Sequence, residues 1–175
     1  MRPLPTGYTI HVAQPADIPH LPRIERDAAK LFAPYSSGEA GDHIVTDDAA
    51  LVRGAARDGR LWVCRCRDHV VGFALATIMD GQPHLHELDV LPEHGRQGIG
   101  AALVETICDW AVAQGSTDVT LSTRMDVPFN GPFYAKLGFE RVADDELQGE
   151  LRALRAIEVA RGLDAEHRAI MRRWL

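Results

Sequence analysis

The segment HLHELDVLPEHGRQGIGAAL, residues 84–103, constrains the fold of this chain more than any other. It predicts a strand over residues 84–91, then a glycine-rich turn, then an apolar helix that begins after Gly98. Glycines at such a junction let the backbone approach a ligand, and the free N–H groups of a first helical turn favour an anion. The pattern therefore predicts a strand–turn–helix unit that binds phosphate, although glycines also serve plain tight turns.

The remaining residues supply the elements of a mixed α/β domain. Alternating and β-branched runs predict further strands over residues 8–14, 60–67, 69–80, 118–123, 139–143 and 168–175. Helical patterns cover residues 17–32, 47–59, 132–139 and 146–161. The order is β-α-α-β-β-β-α-β-α-β, followed by a tail with one more helix and strand. Because no repeat or interdomain linker interrupts it, we expect one domain over residues 1–175.

Composition narrows the choice of partners and compartment. The formal net charge is −6, which argues against nucleic acid or an anionic membrane surface as partner, and no apolar run is long enough to span a membrane. The first residues lack the apolar centre of a signal peptide, and three cysteines fit reduced thiols, so we expect a cytoplasmic protein. Cys64 and Cys66 lack the spacing of a zinc pair, and we expect no metal. The sequence does not decide whether the protein forms a homodimer.

Two histidines carry the first chemical hypothesis. His84 and His86 lie two apart on a predicted strand and would project to one face, which Leu88 and Val90 continue. Adjacent imidazoles repel a second proton, so one stays neutral near pH 7 and would take a proton from an amine. Two alternatives to this catalytic hypothesis are that both imidazoles are solvated at an exposed strand end, or that they bind a metal. Glu87 would face the other way in a regular strand, and is the second choice of base because a β-bulge would re-aim it.

Two motifs in a fixed order carry a family resemblance. Val-x-Pro, the turn and Arg-Gln-Gly-Ile-Gly before an apolar helix resemble the acetyl-CoA signature of the GNAT N-acetyltransferase superfamily. NGPFYAKLGF, residues 130–139, resembles its second signature. The resemblance implies an α/β GNAT fold, with a mixed, mostly antiparallel central sheet and helices on both faces, and acetyl-CoA as co-substrate without a metal. Gly95 stands where most members carry Arg or Gln.

The histidine strand is similar to that of arylalkylamine (serotonin-type) N-acetyltransferases, which have histidines at both positions. This resemblance implies that His84 and His86 remove a proton from the amine through ordered water, and that Tyr134 protonates the departing thiolate. Each of three residues also has a structural interpretation. Tyr134 would be an aromatic residue of the core, Asp89 would be a structural carboxylate, and Asn130 would cap the following helix. The implied cofactor contacts are Leu88, Asp89, Val90, Arg96, Gln97, Gly98, Ile99, Gly100, Ala101, Asn130 and Phe133.

The predicted function is transfer of an acetyl group from acetyl-CoA to a primary amine by direct attack, with a small aryl or alkyl amine as acceptor. A strand N–H near Leu88 would stabilise the oxyanion. A protein N-terminus or lysine, a polyamine and an aminoglycoside stay open as acceptors. The alternative class of function is a non-catalytic module that binds acyl-CoA. The presence of His84, His86 and Tyr134 argues against it. By fold analogy, residues 33–43 with Phe32 and Tyr35 would form the acceptor wall.

Overall fold

A computed structural model gives the structure of the chain and describes residues 4–35, 48–161, 163 and 166–175. The strands are β1 Tyr8–Val12, β2 Leu61–Cys66, β3 His69–Met79, β4 Gln82–Val90, β5 Asp118–Arg124, β6 Glu140–Arg141 and β7 Arg168–Trp174. The helices are α1 Leu21–Ala29, α2 Ala49–Arg57, α3 Ile99–Ala113, α4 Gly131–Lys136 and α5 Gly149–Ala160. The predicted α/β class and element order are confirmed.

The helix starts differ from the predicted ones. A 3-10 turn, Ile18–His20, precedes α1, so that helix begins at Leu21 and holds Pro22 in its first turn. At α2 the carboxylate of Asp48 accepts two main-chain N–H groups and caps the helix. The predicted caps, Thr46 and Asp47, lie outside the described residues, as do residues 36–43 of the predicted acceptor loop.

The strands form one sheet in the order β1-β2-β3-β4-β5-β7-β6. The β4–β5 pair is parallel, and the other described pairs are antiparallel. On one face, Trp110 of α3 meets Trp62 of β2 edge-on, with ring centroids 5.4 Å apart. On the other face, Ser122 of β5 donates a hydrogen bond to Glu158 of α5. Within the described ranges, no helix combines the length and apolar character needed to cross a membrane.

A β-bulge in β4 determines the shape of the sheet centre. Glu87 pairs with Leu75 and Leu85 pairs with Ala76, so His86 is the extra residue on β4. Beside the bulge, β4 is hydrogen-bonded to β5 only through the pairs His84↔Thr120 and Leu85↔Leu121. Past these two pairs the strands diverge, because the bulge bends β4. The sheet is therefore open along residues 86–90.

The β3–β4 turn secures α5. Asp80 accepts hydrogen bonds from the main-chain N–H groups of Glu150 and Leu151 at 2.9 and 3.2 Å, and Glu150 accepts one from Asp80 N. A Cβ on Gly149 would lie 2.0 Å from Asp80 Oδ1, so only glycine permits this approach. The first turn of α5 is thus capped by a carboxylate from a distant hairpin, which holds Glu158 near the sheet.

Replacement of Asp80 by Ala should lower the free energy of unfolding by about 1–2 kcal/mol, because two N–H groups lose their acceptor. Asp80 has a φ of 50°, a conformation that Asp tolerates better than Ala, so strain adds to the loss. Asp80→Gly removes that strain and isolates the cap. Chemical denaturation measures the change, with exposed Asp145→Ala as the control, and equal stability of Asp80→Gly and Asp145→Ala would contradict the capping role.

Candidate active site

The divergence of β4 from β5 opens a cleft of about 650 Å³. One wall is the β4 segment 86–90, and the other is the β5 segment 121–123 together with Arg168 of β7. The turn before α3 lines one end, and Ala28 of α1, Leu31 and Phe32 just after that helix, and Phe129 line the other. The strand, the turn and the second motif predicted from the sequence therefore converge on a single site.

The bulge changes which side chains share a face. Residues directly opposite in an antiparallel pair point to the same side, so Glu87 lies on the face of its partner Leu75. His84, opposite Thr77, lies on that same face, whereas Leu88, opposite Ala74, lies on the other. Val90, opposite Gly72, lies on the face of Leu88. The expectations that Glu87 points away from His84, and that Leu88 and Val90 continue the face of His84, are therefore wrong. A one-residue insertion inverts the alternation beyond it.

His84 is enclosed in the protein. Its ring is 2% exposed, its Nδ1 lies 2.8 Å from Thr120 Oγ1, and it does not line the cleft. Burial, with a contribution from His86, lowers the pKa of His84 to about 3. His86 does line the cleft, with its ring centroid 6.4 Å from that of His84. The structure thus separates the predicted pair into one enclosed imidazole and one that faces the cleft.

Carboxyl groups dominate the β4 wall. Burial, and then the charge of nearby Glu25, raise the pKa of Glu87 to about 7, while the N–H of Leu88 and the charge of Arg168 oppose the rise. Burial and the charges of Glu87 and Glu25 also raise the pKa of Asp89 well above its usual range. Asp89 Oδ2 is buried and has no hydrogen-bond partner among the described residues. The wall favours a cation or a proton.

The turn before α3 lines the cleft where the first helical turn leaves its N–H groups without a side-chain cap. Gly98, the N-cap, has a φ of 88° and offers no side-chain cap to the first helical turn. Arg96 also has a positive φ, 57°, which turns successive peptide groups the same way. Gly98, Ile99, Gly100 and Ala101 line the cleft, as an anion site at a helix N-terminus requires. Gly95, the departure from the family pattern, lines it as well.

Gln97 is an exception among the predicted cofactor contacts. It is absent from the cleft lining. The Tyr8 hydroxyl makes a 2.7 Å hydrogen bond with His94 Nδ1, and this bond connects β1 to the turn. The remaining predicted contacts all line the cleft, namely Leu88, Asp89, Val90, Arg96, Gly98, Ile99, Gly100, Ala101, Asn130 and Phe133.

Tyr134 lies in the first turns of α4 and faces the cleft, with 8% of its surface exposed. Its ring packs edge-on against Phe133 and Phe139, with centroids 5.0 and 5.8 Å away. Burial, with the charges of Glu87 and Asp89, raises the pKa of Tyr134. The side chain is therefore both a core aromatic and a cleft residue. Asn130 is the N-cap of α4, but its side chain makes no capping hydrogen bond.

The end of the cleft near α1 is aromatic. Phe32 and Phe129 line it and meet edge-on, with centroids 5.1 Å apart. Tyr35 packs against Phe129 at 5.9 Å. This end could hold an apolar substituent, which agrees with the part of the acceptor-wall expectation that falls on described residues.

Sequence reasoning missed two charged residues of the site. Glu25 is 6% exposed on α1, between the buried residues Ile24 and Ala28. Its position within the apolar stripe of that helix was a signal that a carboxyl group would be buried. Arg168 gave no such signal, because it is one of several arginines in the last strand. In the described part of the chain, no three His, Cys, Asp or Glu side chains group as metal ligands would.

Curated relatives of this chain are named as N-acetyltransferases. The chain is similar to "N-acetyltransferase family 8 member 3" of Mus musculus, 30% identical over 107 residues, which are 57% of this chain and 47% of the relative. It is also similar to "N-acetyltransferase 8" of Homo sapiens, 33% identical over 91 residues, 49% of this chain and 40% of the relative. The chain thus spans about half the length of the curated relatives it matches.

Solved structures share the fold. PaiA N-acetyltransferase from Thermoplasma acidophilum, in complex with coenzyme A, superposes with a TM-score of 0.71 at 15% identity, covering 96% of this chain and 99% of that one. N-acetylglutamate synthase from Neisseria gonorrhoeae, complexed with coenzyme A and N-acetyl-glutamate, gives 0.70 at 19% identity over 96% of this chain and 35% of that one. The family model "Acetyltransferase (GNAT) family" matches residues 25–139, and the chain belongs to this family.

Proposed function

We propose that the protein is an acetyl-CoA-dependent N-acetyltransferase that acts on a small primary amine with an aryl or alkyl group. The observation that carries the proposal is a carboxyl group, Glu87, with a pKa of about 7 in a cleft that also holds an anion-binding turn. Acetyl-CoA, when bound, supplies the thioester from which an acetyl group passes to nitrogen. The family and the aromatic end of the cleft support this assignment.

The turn and the first residues of α3 are the proposed diphosphate site. The residues of this first turn line the cleft, no side chain caps their N–H groups, and the positive end of the helix dipole favours phosphate. Because Gly98 has a left-handed φ and no side chain, the main chain itself forms the site. Arg96 lines the cleft and supplies a positive charge near the position of the missing family side chain at Gly95.

Glu87 is the proposed general base. An alkylammonium with a pKa of about 10.4 must lose a proton before it attacks, and a base with a pKa near 7 accepts that proton at neutral pH. The opening beside the bulge exposes Glu87 to the cleft. His84 is poorly suited, because it does not line the cleft and its pKa is about 3. His86 lines the cleft and is the alternative base.

Tyr134 is the proposed donor to the departing sulfur. It faces the cleft from α4, opposite the carboxyl wall on β4. The charges of Glu87 and Asp89 raise the pKa of its hydroxyl, so a proton taken up by Glu87 removes part of that field. Uptake of the amine proton and release of the phenol proton are therefore coupled through charge.

Of the two features that favour an arylalkylamine acceptor, the histidine pair is no longer intact in the cleft, whereas the aromatic end is present. The cleft retains only His86 of that pair. The aromatic end, with Phe32 and Phe129, still suits an aryl group near the amine. The positive charge of Arg168 on the far wall also disfavours a polyamine.

Glu87→Gln should lower kcat/KM at pH 7 by about a hundredfold or more, because the base is removed while the shape is kept. Release of free thiol from acetyl-CoA with a panel of amines measures this and tests the proposed activity itself. Wild-type activity should fall as the pH drops through about 7, where Glu87 takes up a proton. His86→Gln should lose about threefold or less. An inactive His86→Gln beside a near-normal Glu87→Gln would make His86 the base.

Tyr134→Phe should lower kcat by about a hundredfold and leave the dissociation constant of acetyl-CoA nearly unchanged. Phenylalanine keeps the ring contacts with Phe133 and Phe139 and removes only the hydroxyl. Steady-state kinetics and calorimetry on the same preparation give both quantities. A loss of less than about threefold would reduce Tyr134 to a core aromatic.

The pH dependence of stability tests the state of His84. Its folded pKa of about 3 lies below the unfolded value of about 6.5, so the unfolded chain binds more protons as the pH falls, and stability is lost. Between pH 7 and pH 5 this one group should cost about 2 kcal/mol. His84→Gln should remove that part of the slope in denaturant titrations, and exposed His69→Gln should not. An unchanged slope in His84→Gln would mean that the ring titrates normally.

A further inference from the structure

We propose that the acceptor is an α-amino acid with an apolar side chain, and that Arg168 binds its carboxylate across the cleft from Glu87. The inference rests on the proposed function and specifies its substrate class. The observations that carry it are the position of Arg168 on the cleft wall, the charges around it, and the carboxyl groups that it faces.

Arg168 is the first residue of β7 and lines the cleft. In the β5–β7 register, Ile170 lies opposite Ser122, so Arg168, two residues before Ile170, shares the face of Ser122. Thr120 also lies on that face and is the neighbour of His84 in β4. The bulge brings Glu87 to the face of His84. Arg168 and Glu87 therefore border the opening of the sheet from the same side, one on each wall.

The Arg168 side chain is held in place. Its guanidinium donates to Ser122 O at 3.5 Å and to Ser122 Oγ at 3.4 Å, and Nη2 lies 3.1 Å from Glu158 Oε1. Glu158 sits on α5, the helix that Asp80 caps. Nε donates to the same Glu158 oxygen at 3.3 Å, so the N–H groups of Nη1 are the donors that lie outside these contacts. A guanidinium fixed on a wall, with 22% of its side chain exposed, is suited to donate these N–H groups to a carboxylate.

Glu158 is not a partner of Arg168 alone. The same carboxylate lies 3.8 Å from the guanidinium of Arg155, so one buried acid serves two arginines. Asp144 is 3.8 Å from Arg155, but it is 55% exposed and therefore screened by solvent. The charge of Arg168 reaches the cleft, because it lowers the pKa of Glu87 against the larger effect of burial.

An α-amino acid matches this arrangement of charges. Its ammonium suits the wall with Glu87 and the unpartnered Asp89 oxygen, and its carboxylate suits Arg168 on the other wall. The side chain would extend to Phe32 and Phe129. A protein N-terminus, a lysine side chain and a polyamine have no carboxylate beside the reacting amine, so each would leave Arg168 without a ligand in the cleft. The cleft thus selects free amino acids over these acceptors.

Turnover of matched pairs tests the proposal. We would compare three amino acids with the amines that lack only the carboxylate, namely phenylalanine with phenethylamine, tryptophan with tryptamine and leucine with 3-methylbutylamine. In the wild type, kcat/KM should favour the amino acid at least tenfold in one pair or more, as a charge-assisted contact implies. Arg168→Gln should abolish this preference mainly through KM, and Arg168→Lys should restore part of it. Preference for the amine in all three pairs would overturn the inference.

Two controls separate binding from structure. Arg155→Met removes the other arginine beside Glu158 without touching the cleft, and it should keep the preference for the amino acid. Because Arg168 lowers the pKa of Glu87, Arg168→Gln should also move the acidic limb of the phenethylamine profile to higher pH. Equal loss with amino acids and amines in Arg168→Gln, without that pH shift, would indicate a structural role and overturn the inference.

Product binding gives a readout that does not need turnover. Calorimetry should show N-acetylphenylalanine binding to the wild type at least tenfold more tightly than N-acetylphenethylamine, and the difference should vanish in Arg168→Gln. Equal binding of the two products would overturn the inference even in an active enzyme. Absence of thiol release with every amine would instead overturn the proposed function, while the product titration would still decide whether Arg168 binds a carboxylate.

Discussion

The site depends on the short contact between β4 and β5. Only two residue pairs join these strands at the bulge, and the extra residue His86 bends β4 away from its neighbour. Without that divergence, ladder hydrogen bonds would close the centre of the sheet, and residues 86–90 would have no cleft to line. The same insertion turns Glu87 to the face that carries Arg168. One extra residue therefore opens the cleft and also aims its candidate base.

Charge burial gives the cleft its chemistry. Burial raises the pKa values of Glu87 and Asp89, the charge of Glu25 raises both further, and the charge of Glu87 adds to the rise at Asp89. Such a wall is stable only when protons or cations compensate it. Arg168 supplies part of that compensation from across the opening, and an ammonium ligand would supply more. The proton affinity of Glu87 is thus a property of both walls and of whatever lies between them.

The sequence was sufficient for the fold and for one end of the site. Glycine spacing and helix periodicity are local signals, and they located the turn at Gly98 and the α4 motif with Tyr134 correctly. The faces of β4 were not predictable in the same way, because alternation fixes them only while the strand is regular. Nothing local distinguishes a bulge at His86 from an unbroken strand. Arg168 was missed for a related reason, since its role arises from strand order and not from its neighbours in the chain.

The bulge also explains why His84 and His86 differ in burial and in surroundings. His84 stands at the last region where β4 and β5 are paired, and its neutral ring bonds to Thr120 of the neighbouring strand. A charged imidazole there would lack solvent, so the low pKa of His84 keeps the contact intact near neutral pH. His86, one step into the opening, faces the cleft instead. The two histidines of this motif thus have different surroundings: His84 lies where the strands pair, and His86 lies in the cleft that opens beyond that pairing.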